Sequence, residues 1–566
     1  MFGFTIIYNQ KAPLKLKGGV TFEYISESKR TYQFNYIKFE KFNNDKLFVN
    51  NDEFIIGIDG VILNLVDLKR SYARTDYADL IFQLWKASGN KFPNYLKGEF
   101  SGFIFKKQTE ELYTFNNHVA SKKIFYTNFS ETTIISSSIE NICLYSKSAE
   151  YKLKLNTIAA YELLTSGGMF ENQTLINDIF RLGAGEYINI NNGELIVDKY
   201  YNFNSIEYTI GSKKEAFTAL SESFEEALKL QYQKDIEYNY KHIATLSGGL
   251  DSRLNVMLSD RLNYKNDVFC FSQSNYADDR ISKKIARDLN LKHTFIPLDK
   301  GIYLRNLREN NSICEGLIFY LSSAHFNYAL KNIDLNNYGL IHSGQIGDGV
   351  LGGLISNLTS NKKDFYSKII SNRLINKLDR PVGFESTYKS DEIYQLYNRV
   401  FNITHSGSFV AEKYQTYLVS PFMDVNFMEV CFSIEPKLRY KQKLYVEWIN
   451  EKYLEVVKYT WERIGFKPDN ISNIYLSKYT NKIKKEFYTL INRTDKLSMN
   501  PLDFWFNEGL DIQEFFNKAF YERIHLLENN LELLDDIKKL YKLGNTIEKS
   551  MVLTLLDFIN YFEINV

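Results

Sequence analysis

Cysteine is scarce in this 566-residue chain. Cys143, Cys270, Cys314 and Cys431 lie far apart and form no C-x-x-C pair, which argues against a disulfide framework or a zinc site and favours a reducing, cytoplasmic setting. Charge of one sign is lacking too. The 69 Lys and Arg against 68 Asp and Glu leave a net of +1, so neither nucleic acid nor an anionic membrane is the expected partner. No apolar run approaches the about 20 residues that span a bilayer. The most apolar late stretch, Met551 to Phe562, is shorter and contains Asp557 and Asn560. The start, Met1-Phe2-Gly3-Phe4, lacks the basic region and small-residue cleavage site of a signal peptide, so the mature chain is expected to begin here. N-x-S/T triplets such as Asn357-Leu358-Thr359 are read as chance in an Asn-rich chain. No repeat or low-complexity tract stands out, and the Walker loop G-x-x-x-x-G-K-[ST] is missing, which disfavours ordinary P-loop phosphoryl transfer.

What is present is a folded globular composition, 44% hydrophobic and 24% charged. At about 150 residues per domain, the length predicts two large domains or three to four ordinary ones. Up to about residue 200 short β-rich runs dominate: Phe4 to Tyr8, Glu53 to Ile58, Phe100 to Phe105, Thr133 to Ser136 and Tyr187 to Ile190. One segment, Asp76 to Ser88, carries Tyr77, Leu80, Ile81, Leu84 and Trp85 on a helical face. That pattern is α+β. Near residue 210 the character changes. Ser212-Lys213-Lys214-Glu215 reads as a capping box before Phe217, Leu220, Phe224 and Leu228 at helical spacing. Strand and helix then alternate: His242–Leu246, Ser252–Arg261, Asp267–Ser272, Asp278–Leu289, His293–Leu298, with a further strand at Tyr338–Ser343. Such alternation predicts right-handed crossovers and a parallel sheet covered on both faces, followed by a largely helical remainder.

At the end of the first of these strands stands Ser247-Gly248-Gly249-Leu250-Asp251-Ser252-Arg253, running directly into a helix. Two glycines allow a tight turn and close approach of a ligand, and the helix start offers free N–H groups and the positive dipole end, a nest for phosphate. Asp251 would repel phosphate alone but becomes useful holding Mg²⁺ against it. The plain alternative is a Gly-rich turn with a Ser/Asp cap. Gly347-Asp348-Gly349-Val350-Leu351-Gly352 matches G-x-G-x-x-G, but Ser356 to Asp364 is too polar and Lys-rich for the strand a dinucleotide site needs.

Ser247-Gly-Gly-Leu-Asp-Ser252, followed by Ser343-Gly344-Gln345-Ile346-Gly347-Asp348-Gly349-Val350-Leu351-Gly352-Gly353, resembles the two signatures of the asparagine synthetase family. Pro421-Phe422-Met423-Asp424 and Leu438-Arg439 with Lys443 are similar to further family segments. In the first half, Asp59-Gly60-Val61-Ile62-Leu63-Asn64, Leu96-Lys97-Gly98-Glu99-Phe100 and Arg181-Leu182-Gly183-Ala184-Gly185 resemble class II glutamine amidotransferases. The resemblance implies an α+β and α/β two-domain chain. Residues 1–205 would form an Ntn-hydrolase-like αββα sandwich. Residues 206–566 would form a doubly wound, parallel-sheet ATP-pyrophosphatase domain with a helical C-terminal part.

The resemblance also implies cofactors and roles. ATP and Mg²⁺ are expected, with Leu246, Ser247, Gly248, Gly249, Asp251, Ser252, Ser272, Asp278 and Gly344 about the nucleotide, and Asp251 and Asp348 on the metal. Lys443 would neutralise the α-phosphate and the tetrahedral intermediate; Lys441 is the alternative register, and a solvated surface lysine the plain reading. Asp278 could instead be a helix N-cap. Adenine is expected against the backbone around Leu246 and the strand Phe269 to Ser272, and the many aromatics are mostly core.

Departures from the family shape the expected activity. The family's glutaminase nucleophile is Cys at position 2, where this chain has Phe2, and Asp59 replaces the oxyanion-type Asn. Glutamine hydrolysis should therefore be lost, as in β-lactam synthetases and lasso-peptide macrolactam synthetases. Gln345 stands where the family has Glu or Tyr and cannot act as general base; Asp379 and Glu385 are the downstream carboxylates considered in its place, neither within a motif and each read more plainly as a solvated surface charge. The implied reaction adenylates a small-molecule or peptide carboxylate and joins it to an amine or ammonia, in natural-product, peptide or polysaccharide biosynthesis with room for a partner protein. Ammonia-dependent asparagine synthesis and an inactive ATP-binding scaffold are the alternatives.

Overall fold

The computed structural model describes residues 2–566 except 11–13, 15, 17, 130, 357, 359–368, 379–386 and 470–496. Asp379 and Glu385 lie outside the described residues.

The first half is two antiparallel six-stranded sheets. One runs, in spatial order, Ile179–Arg181, Phe125–Phe129, Thr132–Ser136, Gly3–Tyr8, Thr31–Ile37, Val20–Ile25. The other runs Glu194–Lys199, Glu186–Asn191, Glu111–Asn116, Gly98–Lys106, Phe54–Ile62, Leu47–Asn50. Successive side chains of a strand point to opposite faces. Phe4 and Ile6 therefore meet Phe34, Phe103 and Phe105 between the sheets, while Ile7 joins the outer layer. Each such buried side chain contributes roughly 1.5–3 kcal/mol. The helix Tyr77–Ser88, N-capped by Asp76, lays Leu80, Ile81 and Leu84 on the outer face of the second sheet. Ile142, Cys143 and Tyr145 of the helix Ile139–Ser148 cover the first, so the layers read αββα.

The second half holds a parallel sheet of five strands in the order His293–Pro297, Asn266–Ser272, Lys241–Thr245, Tyr338–His342, Leu418–Val419. The chain builds outward from Lys241–Thr245 to one side, then returns to build the other. That reversal leaves a crevice at the carboxyl ends of Lys241–Thr245 and Tyr338–His342, the place where open α/β sheets bind ligands. Of the capping box read at Ser212, the Ser side chain forms its bond to the Glu215 N–H at the start of the helix Lys213–Glu237.

The late apolar stretch is the buried helix Thr546–Phe562, packed on the helices Thr157–Ser166 and Leu307–Cys314. Asp557 within it accepts a hydrogen bond from Asn311 at 2.8 Å and pairs with Arg308 at 3.1 Å. No described helix is long and apolar enough to cross a membrane. Buried ion pairs tie the halves together, Lys123 to Glu315 at 2.9 Å and Lys234 to Asp45 at 3.1 Å.

Candidate functional site

The crevice is a cavity of about 530 Å³. Leu246, Ser247, Gly249, Asp251, Ser252, Asp278, Gly344, Gln345 and Asp348 line it, so most of the residues singled out in sequence converge there from segments a hundred residues apart. The helix Leu250–Arg261 begins at Gly249 with no side chain capping it, which leaves first-turn N–H groups for a ligand. The loop before it is braced internally. Ser252 Oγ accepts the Ser247 N–H at 3.1 Å and lies 3.0 Å from Ser247 Oγ, which itself accepts the Gly249 N–H at 3.1 Å.

Two glycines bring the second signature against this loop. A Cβ on Gly344 would lie 2.2 Å from the Ser252 nitrogen, and one on Gly347 would lie 2.7 Å from the Asp251 carboxyl carbon. The approach lets Asp251 Oδ2 accept the Asp348 N–H at 2.9 Å, while Tyr445 donates to Asp251 Oδ1 at 2.7 Å. Burial, then the charge of Asp348, pushes the Asp251 carboxyl up to about 7. Around Asp348 the backbone is strained: Ile346, Lys441 and Gln442 have φ of 61°, 55° and 63°. The strained turn aims Gln442 Nε2 at the Asp348 carbonyl and carboxylate, at 3.2 and 3.3 Å. G-x-G-x-x-G at 347–352 is thus a tight turn, in which a Cβ on Gly352 would sit 2.0 Å from the Arg439 carbonyl oxygen.

Asp278 does not cap its helix, Ala277–Asp288, whose N-cap position is Tyr276. Its carboxylate instead accepts the Gly248 N–H at 2.6 Å across 30 residues of sequence, and burial pushes it up to about 6. Gly248 itself, expected at the nucleotide, is not part of the cavity lining. Ser272, fully buried, turns its hydroxyl to the Gln273 carbonyl and does not line the cavity. Lys443 opens the helix Lys443–Lys452 between Gln442 and Tyr445, but its side chain is exposed and outside the cavity lining, as is that of Lys441. Gln345 lines the cavity, its amide donating to the Thr404 carbonyl at 3.3 Å.

Phe269, Phe271, Phe326, Leu418 and Trp461 give the cavity an apolar side. Cys270 lies among them as an inert thiol, pushed up to about 12 by burial. Ser322, His325, Ser406, Glu462 and Arg463 also line it and carried no sequence signal, because only the tertiary fold brings them there. Burial pulls His325 below its ordinary value, so it is neutral at pH 7.

In the first half, the place of a glutaminase nucleophile is filled. The Phe2 ring packs on Phe39 at 5.0 Å, and Phe39 on Tyr417 at 5.2 Å. Lys122 Nζ sits 2.6 Å from the fully buried Asp59 and also pairs with Glu412 of the second half. All four cysteines are buried elsewhere.

Comparison with known proteins agrees with this geometry. The family described as glutamine amidotransferase domain matches residues 37–201, and the one described as asparagine synthase matches residues 219–407. Asparagine synthetase [glutamine-hydrolyzing] 2 of Bacillus subtilis (strain 168) is 23% identical over 306 residues, 51% of this chain and 40% of that protein. The match thus spans well under two thirds of that relative. A probable asparagine synthetase [glutamine-hydrolyzing] of Acanthamoeba polyphaga mimivirus is 22% identical over 76% of this chain and 74% of that protein. A solved glutamine phosphoribosylpyrophosphate amidotransferase from B. subtilis covers 52% of this chain and 75% of its own at 10% identity and a TM-score of 0.22, too slight a likeness to argue from. With matches to both halves in order and the two signatures meeting across one crevice, the chain has a glutamine amidotransferase domain followed by an asparagine synthase domain and is similar over most of its length to asparagine synthetases.

Proposed function

We propose that this protein is an ATP-dependent, AMP-forming amide ligase that joins a carboxylate to an amine or ammonia without hydrolysing glutamine. The observation that carries the reading is the pair Asp251 and Asp348, brought together at an uncapped helix start inside a 530 Å³ cavity. Two carboxylates facing the single guanidinium of Arg463 keep a net negative charge, and their hard oxygens suit Mg²⁺, so the residues present fit that ion. Bound there, Mg²⁺ would offset the charge of the phosphates.

The chain's own groups do the rest. Ser247, Gly249 and Ser252 with the free N–H groups of the helix start hold the pyrophosphate portion of ATP, in line with the incoming carboxylate. A carboxylate oxygen attacks the α-phosphorus, the bond to the β-phosphate oxygen breaks, and pyrophosphate leaves. The amine nitrogen then attacks the acyl carbon of the adenylate, the bond to AMP breaks, and the nitrogen gives up a proton to the departing AMP phosphate or to water. Gln345 cannot accept that proton but can donate to an oxyanion. Lys443, expected at the α-phosphate, is exposed and outside the cavity lining, so it can supply positive charge there only if its flexible side chain swings inward past Gln442 and Tyr445. Phe2 and the Lys122–Asp59 pair support independence from glutamine, since position 2 offers a ring in place of a nucleophilic atom and Asp59 is a carboxylate tied to a lysine.

The test is release of AMP and pyrophosphate from Mg·ATP with a panel of carboxylates, each offered ammonium, amines or glutamine. AMP formed with an amine or ammonium but not with glutamine alone supports the reading. ADP in place of AMP overturns it. AMP formed specifically with aspartate and ammonium makes the protein an ammonia-dependent asparagine synthetase.

A further inference from the structure

Arg253 follows directly on the phosphate loop, yet its guanidinium never reaches the cavity. It is fully buried and donates to four backbone carbonyls: Gly248 at 2.8 Å, Val456 at 3.0 Å, Tyr459 at 3.1 Å and Thr460 at 2.7 Å. Burying a guanidinium without a carboxylate is costly, so an arrangement that spends all of its reach on main chain is building something specific. Gly248 is the point of attachment. Its carbonyl accepts both Arg253 and the Glu462 N–H at 3.1 Å, and its own N–H goes to Asp278. The phosphate loop and the segment 456–462 are thereby held as one unit, with 203 residues of sequence between Arg253 and Val456.

What that segment delivers is Arg463. Its guanidinium lines the cavity, donates to Gln442 Oε1 at 3.0 Å and stands 3.9 Å from Asp348 Oδ2, and so faces the same space as the carboxylate pair. Among the described lining residues Asp251, Asp278, Asp348 and Glu462 are acidic, and Arg463 is the side chain that carries a fixed positive charge. A planar guanidinium suits bidentate recognition of a phosphate. We propose that Arg463 binds the β,γ-phosphates of ATP, the part that leaves as pyrophosphate, and that Arg253 is the positioning residue that holds Arg463 in register with the phosphate loop. This rests on the ATP reading above.

The test measures equilibrium binding of Mg·ATP, inorganic pyrophosphate and AMP to the full chain and to Arg463→Gln, Arg253→Lys and the double variant, with thermal melting of each. Loss of a charge-assisted bond weakens ATP and pyrophosphate by about tenfold or more while AMP, which lacks those phosphates, changes less than about twofold. Lysine keeps the charge at 253 but cannot span four carbonyls. Arg253→Lys should therefore weaken ATP and pyrophosphate in the same pattern, and the double variant should be no weaker than Arg463→Gln alone. ATP bound equally by the unaltered chain and Arg463→Gln overturns the inference and leaves the ligase reading standing. Equal weakening of ATP and AMP in Arg253→Lys, additive with Arg463→Gln, makes Arg253 merely structural and overturns its positioning role. No ATP binding by the unaltered chain overturns both readings.

Discussion

Replacing Asp251 by Asn should make the metal-free protein more stable and the enzyme inactive. Asp251 is pushed from 3.8 up to about 7 by burial and by the neighbouring Asp348, so above pH 7 the folded protein holds a carboxylate it would rather protonate. Taken at face value, at about 1.4 kcal/mol per pH unit, that is roughly 4 kcal/mol of destabilisation. The group is only partly shielded from solvent, and Asn still accepts the Asp348 N–H or the Tyr445 hydroxyl, so a net gain of about 1–3 kcal/mol is expected. For a chain of this length that is a rise of about one to three degrees in Tm at pH 8. The sign fixes the pH dependence. Destabilisation is full above about 7, fades as the pH falls from there toward 3.8, and is absent below, so the gap between variant and parent narrows on acidification. Added Mg²⁺ should reverse the order by stabilising the parent alone. Differential scanning fluorimetry at pH 6 and 8, with and without Mg²⁺, reads all of this. A variant that melts at or below the parent at pH 8 without metal would refute the reasoning, as would one that keeps AMP-forming activity.

Three further substitutions probe the rest. Phe2→Cys should not restore glutaminase activity, because Asp59, a carboxylate paired with Lys122, cannot donate to an oxyanion as an Asn would; glutamate release above background on incubation with glutamine counts against that. Lys122→Met strands Asp59 and Glu412 in the interior at a cost of about 3–5 kcal/mol, seen as a lower Tm, and adding Asp59→Asn should recover part of the loss. Lys443→Ala should lower kcat at least tenfold with little change in KM for ATP, the pattern of a charge used only in the transition state; a change confined to KM would assign it to ground-state binding.

The αββα layering was only half legible in sequence. Phe4 to Tyr8 and Phe100 to Phe105 stand out as strands because both of their faces are buried, and the helix at 77–88 because its apolar side chains recur with helical period. Val20–Ile25 and Glu194–Lys199 are exposed edge strands with weak patterning, and only pairing with Thr31–Ile37 and Glu186–Asn191 makes them strands. The helix Thr157–Ser166 is buried on every side and so loses the periodicity that would reveal it.

At the site the division is sharper. Sequence by itself marked the Gly-rich loop at 247–252, the second signature and a position 2 without a nucleophilic atom, because each is a local pattern: glycines where backbone comes close, acids at set places, a phenylalanine at one position. It could not decide which side chains face the cavity. Lys443 matches a motif yet points to solvent, while Tyr445, two residues on, reaches Asp251, a choice made by the strained turn at Lys441 and Gln442. Asp278 reads equally as cap or ligand until Gly248 comes within 2.6 Å of it. Arg253 and Arg463 carry no pattern at all, since three of the carbonyls that hold Arg253 come from chain some two hundred residues away and the carboxylate near Arg463 from chain about a hundred residues before it. Such contacts belong to packing rather than to spacing, and only the folded chain specifies them.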